Sequence, residues 1–187
     1  MRLSPSSKRC RAIVLLSGPS GCGKTTLCRR IASLARTQGL AVAGVITPPR
    51  FQGEGKIGMD VEDVSSGLRR PLAERSGGSD GPCTGAWHFH AAALAWGAAM
   101  LQQATPCDVL IVDELGPLEL ERGEGWASAL EVLRGGGYRL ALVVVRPELV
   151  ARLRHLLEEL VPMTLTVTRE NQDTLLGQIV PLLGDKE

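Results

Sequence analysis

The chain predicts an α/β fold, a mostly parallel sheet with helices on both faces, and three observations carry that prediction. Short continuous apolar runs alternate with longer segments of helical periodicity. A glycine-rich segment joins the first apolar run to the first helix. The 187 residues are 44% hydrophobic yet only 3% aromatic, and an interior of Val, Leu, Ile and Ala suits helices laid on a buried parallel sheet. The length fits one domain over residues 1–187, since domains cluster around ~100–150 residues and leave room here for a small insertion.

Each element has a local reason. Ala12 to Leu16 is a short apolar run followed by glycines, a buried strand. Lys24 to Gln38 places Leu27, Ile31, Leu34 and Ala35 at helical spacing and stops at Gly39. Leu40 to Ile46 is the second strand, ended by Thr47, Pro48 and Pro49. Ile57, Met59 and Val61 then alternate with Gly58, Asp60 and Glu62, the period of a half-exposed antiparallel strand. A β-hairpin insertion is therefore expected over about 50–75, turning near Ser65, Ser66 and Gly67. The next stretch, about 75–85 (RSGGSDGPCTG), predicts a mobile surface loop. Trp87 and Phe89 share one face of a short strand, and Ala92 to Gln103 forms a helix that ends before Pro106. Val109 to Val112 is a buried strand ending in Asp113 and Glu114. Trp126, Leu130 and Leu133 mark a helix face closed by Gly135 to Gly137. Leu140 to Val145 is another buried strand, and Pro147 suits the first position of a helix reaching about Leu160. Met163, Leu165 and Val167 alternate with threonines in a last strand, after which Asn171 opens a helix to Leu183.

Charge and cysteine usage exclude several classes. Lys plus Arg (21) nearly cancels Asp plus Glu (20), so no overall positive field draws the chain onto nucleic acid or an anionic membrane. Few rings are present to stack a string of bases. No apolar run approaches the ~18–20 residues that cross a bilayer, the longest being Ala91 to Leu101. Arg2, Lys8, Arg9 and Arg11 ahead of Ala12 to Leu16 mimic a secretory leader, but the apolar stretch is shorter than the ~7–15 residues of one and enters a glycine loop; it reads as a ragged end. Five cysteines without paired spacing point to a reducing compartment, the cytoplasm by default.

Gly18-Pro19-Ser20-Gly21-Cys22-Gly23-Lys24-Thr25, followed by Thr26, satisfies the Walker A pattern between a strand and a helix. In such a P-loop, glycines let backbone N–H groups converge on phosphate oxygens and the helix N-terminus adds its positive end. Lys24 is then expected to reach the β and γ phosphates and the Thr25 hydroxyl to ligate Mg²⁺. Cys22 is a small residue at a variable loop position, or a thiol its N–H neighbours activate.

Val109 to Val112 followed by Asp113-Glu114 matches Walker B. A carboxylate at the carboxyl end of a parallel strand lies where α/β folds bind ligands, so Asp113 is the candidate Mg²⁺ residue and Glu114 the one facing an attacking water. Glu directly after the metal Asp is the arrangement of additional-strand P-loop ATPases, in which another strand separates the two motif strands. By chain order that strand is Leu140 to Val145, which puts Arg146 near the γ-phosphate as a sensor or charge-stabilising residue, or else leaves it at an exposed helix start.

Gly18 to Thr25, Val45 to Thr47, Gly55 to Val64, the stretch Asp113-Glu114-Leu115-Gly116-Pro117-Leu118-Glu119-Leu120 and Thr168 to Asp173 together resemble the cancer-related and thermophilic nucleoside-triphosphatase family. The likeness spans nearly the whole chain. The family's DEIGxMEL appears as DELGPLEL, with Leu118 for the common Met, and its late Asn-Arg-Asp as Asn171-Gln172-Asp173. The resemblance implies a RecA-like fold and Mg²⁺-dependent hydrolysis of ATP, GTP and other nucleoside triphosphates with loose base selectivity. It also bears on Glu119, which either orients Lys24, Arg146 or the attacking water, or starts the next helix. Asn171 either touches the nucleotide base or caps its helix.

Other constellations carry less. Cys83, His88, His90 and Cys107 lack the spacing of a zinc site. Arg69, Arg70 and Arg75 close over phosphates or simply solvate a charged loop. Two further function classes stand beside hydrolysis. A nucleotide or small-molecule kinase also suits the loop, yet Thr47-Pro48-Pro49 offers no acceptor-binding Asp or Arg pair and no helical lid is visible. A nucleotide-switched adapter would order a segment such as 75–85 for an unknown protein partner.

Overall fold

The computed structural model describes residues 11–75 and 80–184. The first apolar run forms β1 (Ala12–Ser17), and the glycine segment leads into α1 (Lys24–Thr37). β2 (Val42–Ile46) follows, then three strands of the inserted region, β3 (Pro49–Gln52), β4 (Gly55–Asp63) and β5 (Arg69–Glu74). β6 (Cys83–Thr84) and β7 (Trp87–Phe89) lead to α2 (Ala91–Gln102) and β8 (Val109–Leu115). The remainder comprises α3 (Pro117–Leu120), α4 (Ala129–Gly135), β9 (Leu140–Val145), α5 (Val150–Leu156), β10 (Met163–Thr166) and α6 (Gln172–Ile179).

Among the described residues these strands make one sheet, ordered β10-β1-β9-β8-β2-β4-β5-β7-β6 with β3 on β4. From β10 to β2 the neighbours are parallel. Strands apolar at every position have no face to give to water, so both faces are covered and the period of two sorts the side chains. Val14, Leu16, Ile111 and Leu142 pack under α1 and α6 with Leu27, Ile31, Leu175 and Ile179. Ile13, Leu15, Leu110 and Val143 pack on the other face under α2, α4 and α5 with Leu101, Leu133 and Leu153. Gly44 marks the closest backbone approach: its φ is +111° and a Cβ there would lie 2.0 Å from the Ile111 carbonyl oxygen.

The structure corrects four expectations. Residues 50–75 form no lone hairpin but a three-stranded meander, and β4 pairs antiparallel with β2, so the insertion widens the main sheet. Its second turn is held by the Asp63 carboxylate, which accepts from the N–H and O–H groups of Ser65 and Ser66. Part of the expected mobile loop is strand, Cys83 and Thr84 pairing with His88 and Trp87, while residues 76–79, like the ragged end at 1–10, lie outside the described residues. The helix after Pro147 divides into a 3₁₀ turn (Pro147–Leu149), α5 and a second 3₁₀ turn (Glu158–Leu160). β8 does not stop at Val112: its register slips between Val112 and Leu115, and Leu115 re-pairs with Val145. That slip is a bulge containing Asp113 and Glu114.

Candidate active site

The glycine loop between β1 and α1 is bent by left-handed backbone at Gly21 (φ +75°) and Gly23 (φ +100°), where side chains would strain it. Lys24 lies back across this loop, its Nζ donating to the carbonyls of Gly18 (2.7 Å) and Pro19 (2.9 Å). One residue on, Thr25 Oγ1 donates to Asp113 Oδ2 at 2.8 Å. The same oxygen accepts the backbone N–H of Thr47 at 2.9 Å and its hydroxyl at 3.3 Å. The first turn of α1 and the ends of β2 and β8 thus converge on one buried carboxylate. Burial pushes the Asp113 carboxyl above its usual range; the Thr47 N–H and the Thr25 hydroxyl pull it back, and the neighbouring Glu114 charge pushes it further.

Glu114, on the bulge, has a φ of +82°. Its Oε1 accepts from Arg146 Nε at 2.8 Å, both side chains remaining half-exposed. The contact follows from topology: β9 lies between β1 and β8, so the residue after Val145 emerges beside the carboxylate after Asp113.

Glu119 is buried, with its oxygens on Gly116 N–H (2.9 Å) and Trp126 N–H (3.3 Å). It closes the start of α3 and anchors the turn before α4; its hydrogen bonds go to these backbone groups rather than to Lys24 or Arg146. Burial raises this carboxyl and the two N–H donors offset part of the rise. Asn171 precedes α6, but its side chain does not cap the helix. Oδ1 accepts from Thr168 N–H and Nδ2 donates to the Thr166 carbonyl, each at 2.9 Å, so the amide is engaged by the loop before it.

Sequence reasoning singled out neither Thr47 nor Gln172. Thr47 entered there as a strand stop and as the end of a family-like stretch, with no role of its own, although a hydroxyl at the carboxyl end of a buried strand was a usable signal. Gln172 Nε2 donates to the Cys22 carbonyl at 3.2 Å, so the late Asn-Gln-Asp segment touches the glycine loop. Lys56 is a third: its Nζ stands over the Trp87 ring, and burial holds its ammonium below its ordinary value while the charge of Glu114 pulls it up. The basic cluster is divided, Arg69 pairing with Glu62 at 2.5 Å, Arg70 lying over Trp96 and Arg75 over Trp87. Cys83 Sγ and His88 Nδ1 meet at 3.0 Å, and among the described residues no three His, Cys, Asp or Glu side chains converge as a metal cluster. No described helix is long and apolar enough to cross a membrane.

A cavity opens beside Glu114 and Arg146. Thr47 and Glu119 also line it, and Met59, Leu72, Phe89 and Trp126 are among its apolar side chains.

Loop, buried Asp, adjoining Glu and the arginine of an interposed parallel strand define a P-loop nucleotide-dependent protein of the additional-strand kind. More narrowly, the chain belongs to the NTPase family, whose model matches residues 13–180. It is 33% identical over 167 residues to the nucleoside-triphosphatase THEP1 of Thermofilum pendens, covering 88% of this chain and 91% of that one. The identity to the nucleoside-triphosphatase THEP1 of Methanothermobacter thermautotrophicus is 30% over 178 residues, 92% and 96% of the two chains. The solution structure of a human cancer-related nucleoside triphosphatase superposes with a TM-score of 0.70 at 26% identity, over 92% of this chain and 97% of that one. The crystal structure of THEP1 from Aquifex aeolicus is alike in fold, with a TM-score of 0.68 at 18% identity over 92% and 99% of the chains.

Proposed function

We propose that the chain hydrolyses nucleoside triphosphates to diphosphates and phosphate, with Mg²⁺ and with loose preference among bases. The observation that carries this is the Arg146–Glu114 contact at 2.8 Å, beside the Asp113–Thr25 pair. A hydroxyl and a carboxylate in contact are hard oxygen donors of the kind a small divalent cation takes, so Thr25 and Asp113 fit as its holders. Held there beside a bound nucleotide, the cation would supply positive charge against that developing on the phosphates.

The chain's own groups do the rest. Lys24 exchanges the Gly18 and Pro19 carbonyls for phosphate oxygens, and the loop N–H groups from Gly18 to Thr26 hold the same charge. The Glu114 carboxylate orients a water for in-line attack and accepts its proton, while Arg146 fixes that carboxylate and offers its remaining N–H groups to the transferred phosphoryl. Thr47 keeps Asp113 aimed at Thr25. All these groups address phosphate, metal or water, which is the ground for loose base selectivity. The Asn171 amide, engaged by Thr166 and Thr168, supports shaping of the neighbouring loop more than contact with a base. Free thiols at Cys22, Cys28, Cys83 and Cys107 accord with a reducing, cytoplasmic setting.

The test is phosphate release from ATP, GTP, CTP and UTP with Mg²⁺, for wild type and Glu114→Gln. Wild type should turn over all four, and Glu114→Gln should lose ~10²–10⁴-fold in rate while still binding nucleotide, the range for loss of a general base. Turnover that requires an added acceptor would replace this reading with a kinase. Turnover that requires an added protein would replace it with a switched adapter.

A further inference from the structure

We propose that the cavity beside Glu114 is an acceptor pocket for a small alcohol with a flat apolar body, so that the γ-phosphoryl group passes to such an alcohol as well as to water. The inference rests on the triphosphatase reading of the same site.

Position is the first ground. Glu114 and Arg146 form part of the cavity wall and no residue of the glycine loop does. The loop holds the leaving β-phosphate in the proposed function, and the nucleophile is served by Glu114 and Arg146, the two residues that also line the cavity.

Composition is the second. The chain has six aromatic side chains, three Trp, one Tyr and two Phe, and three of them, Trp87, Phe89 and Trp126, face this one hollow. Leu72 and Leu94 complete the apolar surface. An attacking water needs no such wall; a ring or other flat apolar body does.

The walls are also fixed in place. Trp126 Nε1 donates to the Leu94 carbonyl at 3.1 Å. Lys56 Nζ and the Arg75 guanidinium stand 4.9 and 5.3 Å from the Trp87 ring centroid. Polar groups line it too, Thr47, Thr84, Glu114, Glu119 and Arg146. Both Glu119 oxygens are engaged by backbone N–H groups, which leaves Glu114 as the carboxylate that faces an incoming hydroxyl. The apolar residues that would seat an acceptor come from β5, β7, α2 and the turn before α4, and the tip of β2, where a kinase acceptor group was sought in the sequence, adds only Thr47.

In the step, the alcohol O–H proton passes to the Glu114 carboxylate as its oxygen forms a bond to the γ-phosphorus. The bond from that phosphorus to the β-bridging oxygen breaks, and its electron pair leaves on the nucleoside diphosphate. The products are a phosphate monoester and the diphosphate, with no change of oxidation state.

Benzyl alcohol is a suitable probe and methanol its control at equal molarity. Full-length protein, ATP and Mg²⁺ are incubated with each, and phosphorus NMR reads ester against inorganic phosphate in the same tube. Benzyl phosphate should exceed the share set by the alcohol-to-water mole ratio by ~10-fold or more, the partition expected for burying one ring, with methyl phosphate no higher than its own share. Phe89→Ala should lower the benzyl ester-to-phosphate ratio. Phosphate release with ester at or below the mole-ratio share overturns the acceptor pocket and leaves the triphosphatase reading standing, and so does a ratio that Phe89→Ala does not move. Loss of both products overturns the two readings together. Ester without phosphate supports the pocket and overturns the hydrolase.

Discussion

The two sides of the sheet are held by different forces. From β1 through β9 and β8 to β2 the strands are parallel and dry; all of Leu140–Val145 is buried, and aliphatic side chains meet helices above and below. From β4 to β6 the strands are antiparallel, and charge does much of the joining. Glu62 takes Arg29 of α1 at 2.6 Å and Arg69 of β5 at 2.5 Å, and Arg50 spans Asp60 and Glu74. The difference teaches where precision resides. Lys24, Thr25, Asp113, Glu114 and Arg146 issue from the dry side, where packing fixes backbone positions. The aromatic wall of the cavity draws on the charged side, whose ion pairs are partly screened by water.

Three substitutions break or sharpen that contrast. Leu142→Ala, in the middle of the dry side, should cost ~2–5 kcal/mol, seen as a lower denaturant midpoint with unchanged slope. A loss near zero would mean that the two sides are equally forgiving. Glu119→Gln lies at the border and should cost ~1–2 kcal/mol, because one carbonyl oxygen cannot serve both the Gly116 and Trp126 N–H groups. It should also change the pH profile of stability. Burial raises the Glu119 carboxyl above its unfolded value, so the folded chain holds that proton more tightly and stability falls as pH rises through the region just above the ordinary Glu range. That component should vanish in Glu119→Gln and persist in wild type, as pH-resolved urea melts would read. Glu62→Gln, on the charged side, should cost ~1 kcal/mol or less and less still at high salt; a loss as large as that of Leu142→Ala would erase the distinction.

How far the sequence went depended on how local each determinant is. The glycine loop and the Asp113-Glu114 pair are contiguous strings with their own strand and helix signals, and they were legible outright. The interposed strand was legible one step removed, from Glu following Asp, and the observed order does put Leu140–Val145 between the two motif strands. The union of β2 with β4 was not legible, because an alternating run shows its period and not its partner. Nor was the bulge at Asp113 and Glu114, which exists because Leu115 returns to pairing with Val145. Thr47, Gln172 and Lys56 escaped for the same reason: each touches a group distant in sequence, respectively Asp113, the Cys22 carbonyl and the Trp87 ring.

The backbone at Glu114 has a consequence for how this protein responds to selection. A non-glycine residue at φ +82° carries strain of ~1–3 kcal/mol. Glycine would relieve it, so under the proposed function heat resistance and turnover pull this one position in opposite directions. A library sorted by survival at high temperature alone would drift toward Glu114→Gly and toward a sturdier, silent protein.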